Sequence, residues 1–144
     1  MKKTGQRGVT LIEVMVAVLI GAIGILGAAA MQLKSLKYTE SSMFTSQASF
    51  YAYDILDRMR ANSLPDSLLE YRLSNFDNPP GGTSLAAVDL ADFVANVKEL
   101  PGGNGTVSVS GSTVTVTINW SESRATGVSS DTNSFVVVTD VAVN

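Results

Sequence analysis

The stretch that decides how this chain is built is KKTGQRG (Lys2–Gly8) followed by VTLIEVMVAVLIGAIGILGAAAM (Val9–Met31). The first eight residues carry three positive charges and no acid, and the next 23 hold one charged side chain, Glu13. Three readings fit such a start. A secretory signal peptide would be cut after Ala28-Ala29-Ala30, but its apolar core runs about 7–15 residues. This run is longer and is interrupted by a carboxylate. A membrane anchor needs roughly 20 apolar residues, and the basic flank would leave its N-terminus in the cytoplasm. The third reading starts from Glu13. A carboxylate in a bilayer helix costs about 2.5–3.5 kcal/mol, and the apolar run contains no Lys or Arg to neutralise it. Its partner is therefore another chain, a chain end or a proton, with snorkelling at the membrane edge as the bland alternative.

Working outward, apolar residues at Leu33, Leu36, Phe44, Ala48, Tyr51, Ile55 and Met59 fall on one helical face. Lys34, Lys37, Glu40, Gln47, Asp54 and Arg58 fill the others, with Asp54 and Arg58 an i,i+4 pair. Asn62-Ser63-Leu64-Pro65 ends the pattern, because the residue before proline avoids helical geometry. One helix is predicted from about Thr10 to Ala61, roughly 80 Å long. Residues 63–82 hold little periodicity, and Asn78-Pro79-Pro80-Gly81-Gly82 reads as a loop.

A second helix is predicted over about 84–100. Ala87, Leu90, Ala91, Val94 and Val97 form its buried stripe, Asp89, Asp92, Asn96 and Lys98 face water, and Leu100-Pro101-Gly102-Gly103 stops it. The period then drops to two, giving strands at about 106–110 and 113–120, and a third, more uniformly apolar strand is expected at about 134–143. Ser110-Gly111-Ser112 is the first hairpin turn, Ser121–Asn133 a polar loop, and the last strand the expected sheet edge. The class is α+β: a long helix, a second helix and a three-stranded antiparallel meander laid on the helical stripe. Trp120, the single tryptophan, is expected to anchor the sheet to the long helix.

Composition removes several chemistries. With no cysteine and no histidine among 144 residues, thiolate chemistry, disulfides and a Ser/His/Asp triad are all unavailable. The net charge is −3 and the body after Gly8 carries −6, so nucleic acid is not an expected partner. Asp54 with Asp57, and Asp89 with Asp92, could be acid/base pairs, but with Arg58, Arg60 and Lys98 nearby they read as solvated helix faces. Asp131-Thr132-Asn133 opens like a calcium loop, yet Val136 and Ala142 stand where an EF-hand needs glycine and a carboxylate. Asn104-Gly105-Thr106 matches a glycosylation triplet that is common by chance. No enzyme activity, metal, cofactor or small-molecule substrate is expected.

The short basic leader ending in Gly8, the apolar Val9 and Glu13 four residues later resemble the class III signal of type IV prepilins. That resemblance implies the pilin fold, cleavage between Gly8 and Val9 by prepilin peptidase, N-methylation of Val9, and pairing of Glu13 with a neighbouring subunit's N-terminal amine. Val9 departs from the commoner phenylalanine, and Ala30 stands near the place of a proline that kinks many pilin helices. Small residues at Ala17, Gly21, Gly24, Gly27 and Ala28 suit close helix packing, and Gly21, Gly24 and Gly27 mark where a helix would melt locally. Tyr53–Asn62, the Asp89-Leu90-Ala91 start and the Leu100–Gly103 end are similar to PilV-type minor pilins. The implied organisation is leader 1–8, membrane or filament-core half 9–31, amphipathic half 32–62 and head 63–144. The implied role is priming or assembly of a pilus, at its tip, with a minor pseudopilin of type II secretion and an adhesive or DNA-binding tip pilin as alternatives. Implied partners are other minor pilins, the major pilin, the peptidase, an inner-membrane assembly platform and, before assembly, lipid. The implied place is the bacterial inner membrane, head periplasmic, and then the extracellular pilus.

Overall fold

The computed structural model describes residues 8–142. Lys2, Lys3 and Arg7 of the expected leader, and Val143 of the expected last strand, lie outside them. The chain divides into two compact units, Met1–Lys37 and Tyr38–Asn144.

In the first unit every described residue from Leu11 onward belongs to α1 (Leu11–Ala61). Large apolar side chains point outward all round it, Leu11 and Ile25 among them. A helix apolar on every side needs lipid or protein around it. An 18-residue window of α1 has a mean hydropathy of 2.5, enough by length and composition to cross a membrane.

The second unit begins with the rest of α1 and adds α2 (Pro65–Glu70), α3 (Leu85–Val97), β1 (Asn104–Ser110), β2 (Thr113–Ser121), α4 (Ser123–Thr126) and β3 (Thr132–Asp140). Ala48, Ala52, Ile55, Leu56 and Met59 form the buried side of α1, spaced so that they stack as one stripe. Leu33 and Leu36, expected on that face, are exposed, because the stripe meets the core only from Phe44 onward. The strands form an antiparallel sheet in the order β1-β2-β3. Val107 and Val109 of β1 and Val114, Val116, Ile118 and Trp120 of β2 alternate inward. The α+β expectation therefore holds, long helix, further helix and meander included.

Several boundaries differ from the expected ones. Ser84 caps α3, its Oγ accepting from Ala87 N at 3.3 Å. The helix ends at Val97 rather than near 100, since Leu100 N turns tightly onto Val97 O (3.1 Å) ahead of Pro101. On α3, Ala91 is exposed and Asp89 buried, the reverse of the expected stripe, and Phe93 joins the core. The strands span 104–110, 113–121 and 132–140, so β3 starts earlier and stops earlier than 134–143. The stretch 63–82, which showed little periodicity, contains α2, and its Tyr71, Leu73 and Phe76 are buried. Leu73 bridges Val107 of β1. Six residues are too few to show a helical period, which is why α2 was not legible.

Gly103 is where α3 turns back into the sheet. A Cβ there would sit 1.9 Å from Val97 O, whereas at Gly111, the hairpin turn, it would meet open space with φ at +62°. Gly103→Ala should therefore cost about 1–3 kcal/mol through overpacking, and Gly111→Ala only the roughly 1 kcal/mol of a left-handed residue. Thermal unfolding of the detergent-solubilised chain should show the larger drop for Gly103→Ala.

Candidate functional site

Two places concentrate polar chemistry: the start of α1, and the residues that fasten α1 to the head. At the first, Glu13 N donates to Thr10 O (3.1 Å) and to Thr10 Oγ1 (3.4 Å). Thr10-Leu11-Ile12-Glu13 has the spacing of a capping box, in which the hydroxyl satisfies an orphan amide of the first turn. The carboxylate also lies at the positive end of the helix dipole. This local role for Thr10 was missed in the sequence reading, although the Thr-x-x-Glu spacing announces it. Capping does not neutralise Glu13, which forms no ion pair among the described residues. Val9 beside it is exposed.

Along the same helix, Val14, Met15, Val18, Leu19 and Ala22 line a shallow apolar groove. A Cβ added at Gly8, Gly21, Gly24 or Gly27 meets nothing within 4 Å. The helix runs unbroken through Gly21, Gly24 and Gly27, so nothing inside this chain requires glycine there.

In the head, Arg58 gathers three carboxylates: Asp54 at 3.0 Å, Asp89 at 3.1 Å and Asp92 at 3.0 Å. Asp89 is buried and also accepts from Tyr71 Oη (2.6 Å), which in turn receives Asn62 Nδ2 (3.3 Å). The expectation of a solvated Asp89/Asp92 face is thus corrected for Asp89. It is the hub that joins α1, the end of α2 and α3, buried because it is paired. The hydrogen bonds it donates to Asp92 and Asp89 hold the Arg58 guanidinium above its ordinary pKa. Burial first, and then the bond to Asp89, push the Tyr71 phenol up to about 12. Asp57 pairs instead with Arg60 (2.6 Å) at the surface.

A second fastening lies on the Trp120 side. Trp120 Nε1 and Ser41 Oγ both donate to Glu122 Oε1 at 2.9 Å, tying the end of β2 to α1. Trp120 therefore anchors as expected, but through Glu122, which lay unnoticed in a polar loop. Arg124 and Glu40 add a surface pair at 3.2 Å. Among the described residues no three of Asp, Glu, Cys or His converge as metal ligands.

With this geometry in hand, residues 3–29 match the family model described as the prokaryotic N-terminal methylation motif. No curated protein and no solved structure matches the chain. The motif and the α+β fold together support a type IV pilin-like, prepilin-type reading, and the long apolar helix fits a single-pass inner-membrane anchor. Pilin-like proteins are structural subunits that are processed by prepilin peptidase and assemble with other pilins.

The Tyr71–Asp89–Arg58 hub carries a pH test. The native phenol keeps its proton to about 12 while the unfolded one releases it near 10. Stability is therefore full below pH 10 and declines by about 2–3 kcal/mol as pH rises to 12. Tyr71→Phe should cost about 1–2 kcal/mol at neutral pH and flatten most of that alkaline decline in urea titrations. Tyr51, whose phenol is raised by burial and by Glu99, leaves a residual slope. Arg58→Ala should cost about 2 kcal/mol, below the 3–5 of a fully buried pair, because the Arg58 side chain is 33% exposed.

Proposed function

We propose that this chain is a minor pilin of a type IV pilus, of the PilV type, which primes or supports assembly at the filament tip. The observation that carries the reading is Glu13: a carboxylate with no ion pair among the described residues, set within an apolar run and inside a matched prepilin-type motif. Residues 1–8 act as the leader, and prepilin peptidase cuts between Gly8 and Val9. Methylation leaves the Val9 amine basic. That amine, on a neighbouring subunit, is the partner Glu13 needs, since each charge removes the other's uncompensated burial in lipid. Residues 9–31 form the membrane and filament-core half of α1, 32–62 its amphipathic half and 63–144 the head.

Gly21, Gly24 and Gly27 serve contacts between helices of different subunits or local melting during assembly. A Cβ added at any of them meets nothing within 4 Å among the described residues, and each weakens a helix by roughly 1 kcal/mol relative to Ala. The partners are other minor pilins, the major pilin, the peptidase and an inner-membrane assembly platform. The head lies in the periplasm before assembly and on the pilus after it.

Deleting the gene in its host should abolish surface filaments and twitching. Wild type should restore them, whereas a copy bearing Gly8→Val or Glu13→Leu should not, and the Gly8→Val chain should keep its leader by mass spectrometry. Intact pili together with failed secretion of exported enzymes would move the protein to a secretion pseudopilus. Intact pili and secretion with Gly8 uncut would leave a plain membrane anchor.

A further inference from the structure

The two outer strands of the sheet are finished differently. β3 is an edge of nine residues, with a continuous register to β2 and no Pro, Lys or Arg. Its one charge, Asp140, is its last residue and accepts from Thr113 Oγ1 at 2.7 Å. Natural edge strands are usually blunted by such residues or by bulges, because bare N–H and C=O groups template pairing with another chain.

The register shows which groups are bare. Val107 exchanges both backbone hydrogen bonds with Leu73 (2.9 and 3.0 Å), so its polar groups point away from β2. Alternation along an antiparallel ladder turns those of its partner Val116 toward β3, making Val116 and Val137 a hydrogen-bonded pair. On either side of Val137, Val136 and Val138 aim N–H and C=O outward. Ser134 does so too, and its N–H is taken locally by Asn133 Oδ1 (2.9 Å). The outward backbone groups of Val136 and Val138 have no partner among the described residues. Their side chains are 54% and 62% exposed. The opposite edge is covered at two places, by Leu73 on Val107 and by Arg72, whose Nε and Nη2 donate to Val109 O at 3.2 and 2.8 Å.

We propose that the outer edge of β3, from Ser134 to Val138, receives an extended, uncharged segment of a different prepilin-type subunit. The proposal rests on the prepilin reading of the chain. Backbone pairing supplies the attraction, and alternate apolar side chains on the incoming strand meet Val136 and Val138. The segment is uncharged because β3 offers no charge before Asp140 to meet one.

A second copy is the wrong occupant, for two reasons. Its β1 edge is blocked at Val107 by Leu73 and at Val109 O by Arg72. Its β3 edge would be brought into the same sheet by a two-fold axis, which runs the strands antiparallel. Yet β3 runs the same way as the end of α1. Tyr53 packs edge-on against Phe135 (6.4 Å between ring centroids), and further along both elements Arg60 Nη2 donates to Thr139 Oγ1 (3.3 Å). Antiparallel β3 strands would point the two α1 ends in opposite directions, whereas helices rising from one side of a membrane run together.

The test uses the full-length chain in its host, with a photo-crosslinking residue at Val138 or, as control, at Ser108 of the covered edge. Irradiation should join Val138, and not Ser108, to a chain whose own N-terminus is prepilin-type by mass spectrometry. Val136→Pro removes an outward N–H that makes no bond within the sheet, a position where an edge tolerates proline. It should lower the adduct roughly tenfold, the loss of about one unit of log affinity. Val136→Lys, which blunts the edge with charge, should do the same with an unfolding midpoint close to wild type. An adduct between two copies, equal adducts from both edges, or none from a chain with a processed N-terminus would overturn the proposal. A chain uncut at Gly8 in the same cells would instead overturn the prepilin reading.

Discussion

The buried stripe Ala48–Ala52–Ile55–Leu56–Met59 is the constraint on which the rest of the head depends. It belongs to the same helix whose first half is apolar on every side, so one continuous element must satisfy two solvents. Where the head begins, the helix narrows its apolar surface to one stripe and spends the other faces on charge. Alanine at 48 and 52 keeps that stripe thin beside the sheet, while Ile55, Leu56 and Met59 fill the core with Trp120, Leu90 and Val97. A core this small tolerates few voids, and burial of its apolar area supplies most of the stability.

Polar side chains then fix what apolar burial leaves loose. Hydrophobic contact is non-directional, so it does not by itself decide the rotation of α1 against α3 and the sheet. Arg58 does so from one side, holding Asp54, Asp89 and Asp92, with Tyr71 closing the set on Asp89. Glu122 does so from the other, holding Trp120 and Ser41. Both hubs are carboxylates whose partners come from separate elements. Within the second unit, the head is thereby fixed around the later half of α1.

Both ends of the functional argument involve polar groups left open within one chain. Among the described residues Glu13 has no charged partner, and the outward N–H and C=O groups of Val136 and Val138 on the β3 edge are unpaired. An open group in a folded chain points to a second molecule, since water, lipid or a partner must answer it. For Glu13 the answer is electrostatic and lies in the membrane half. For β3 it is backbone hydrogen bonding and lies in the head.

Much of this was readable from the chain alone. The 3.6-residue period, its end before Pro65, the switch to a period of two after Gly103 and the lone Glu13 are local signals, so the α+β class and the prepilin-type start followed from residues near one another in sequence. Local pattern did not reveal α2, too short to show a period, nor that Asp89 is buried while Ala91 is exposed. Nor did it reveal that Glu122 is the acceptor for Trp120. Whether an aspartate is solvated or sits at a hub depends on what another element brings to it: Arg58 is 31 residues from Asp89, and Tyr71 is 18. In the same way, the last strand was expected at the sheet edge, but only folding laid Leu73 and Arg72 along β1 and so covered part of the opposite edge.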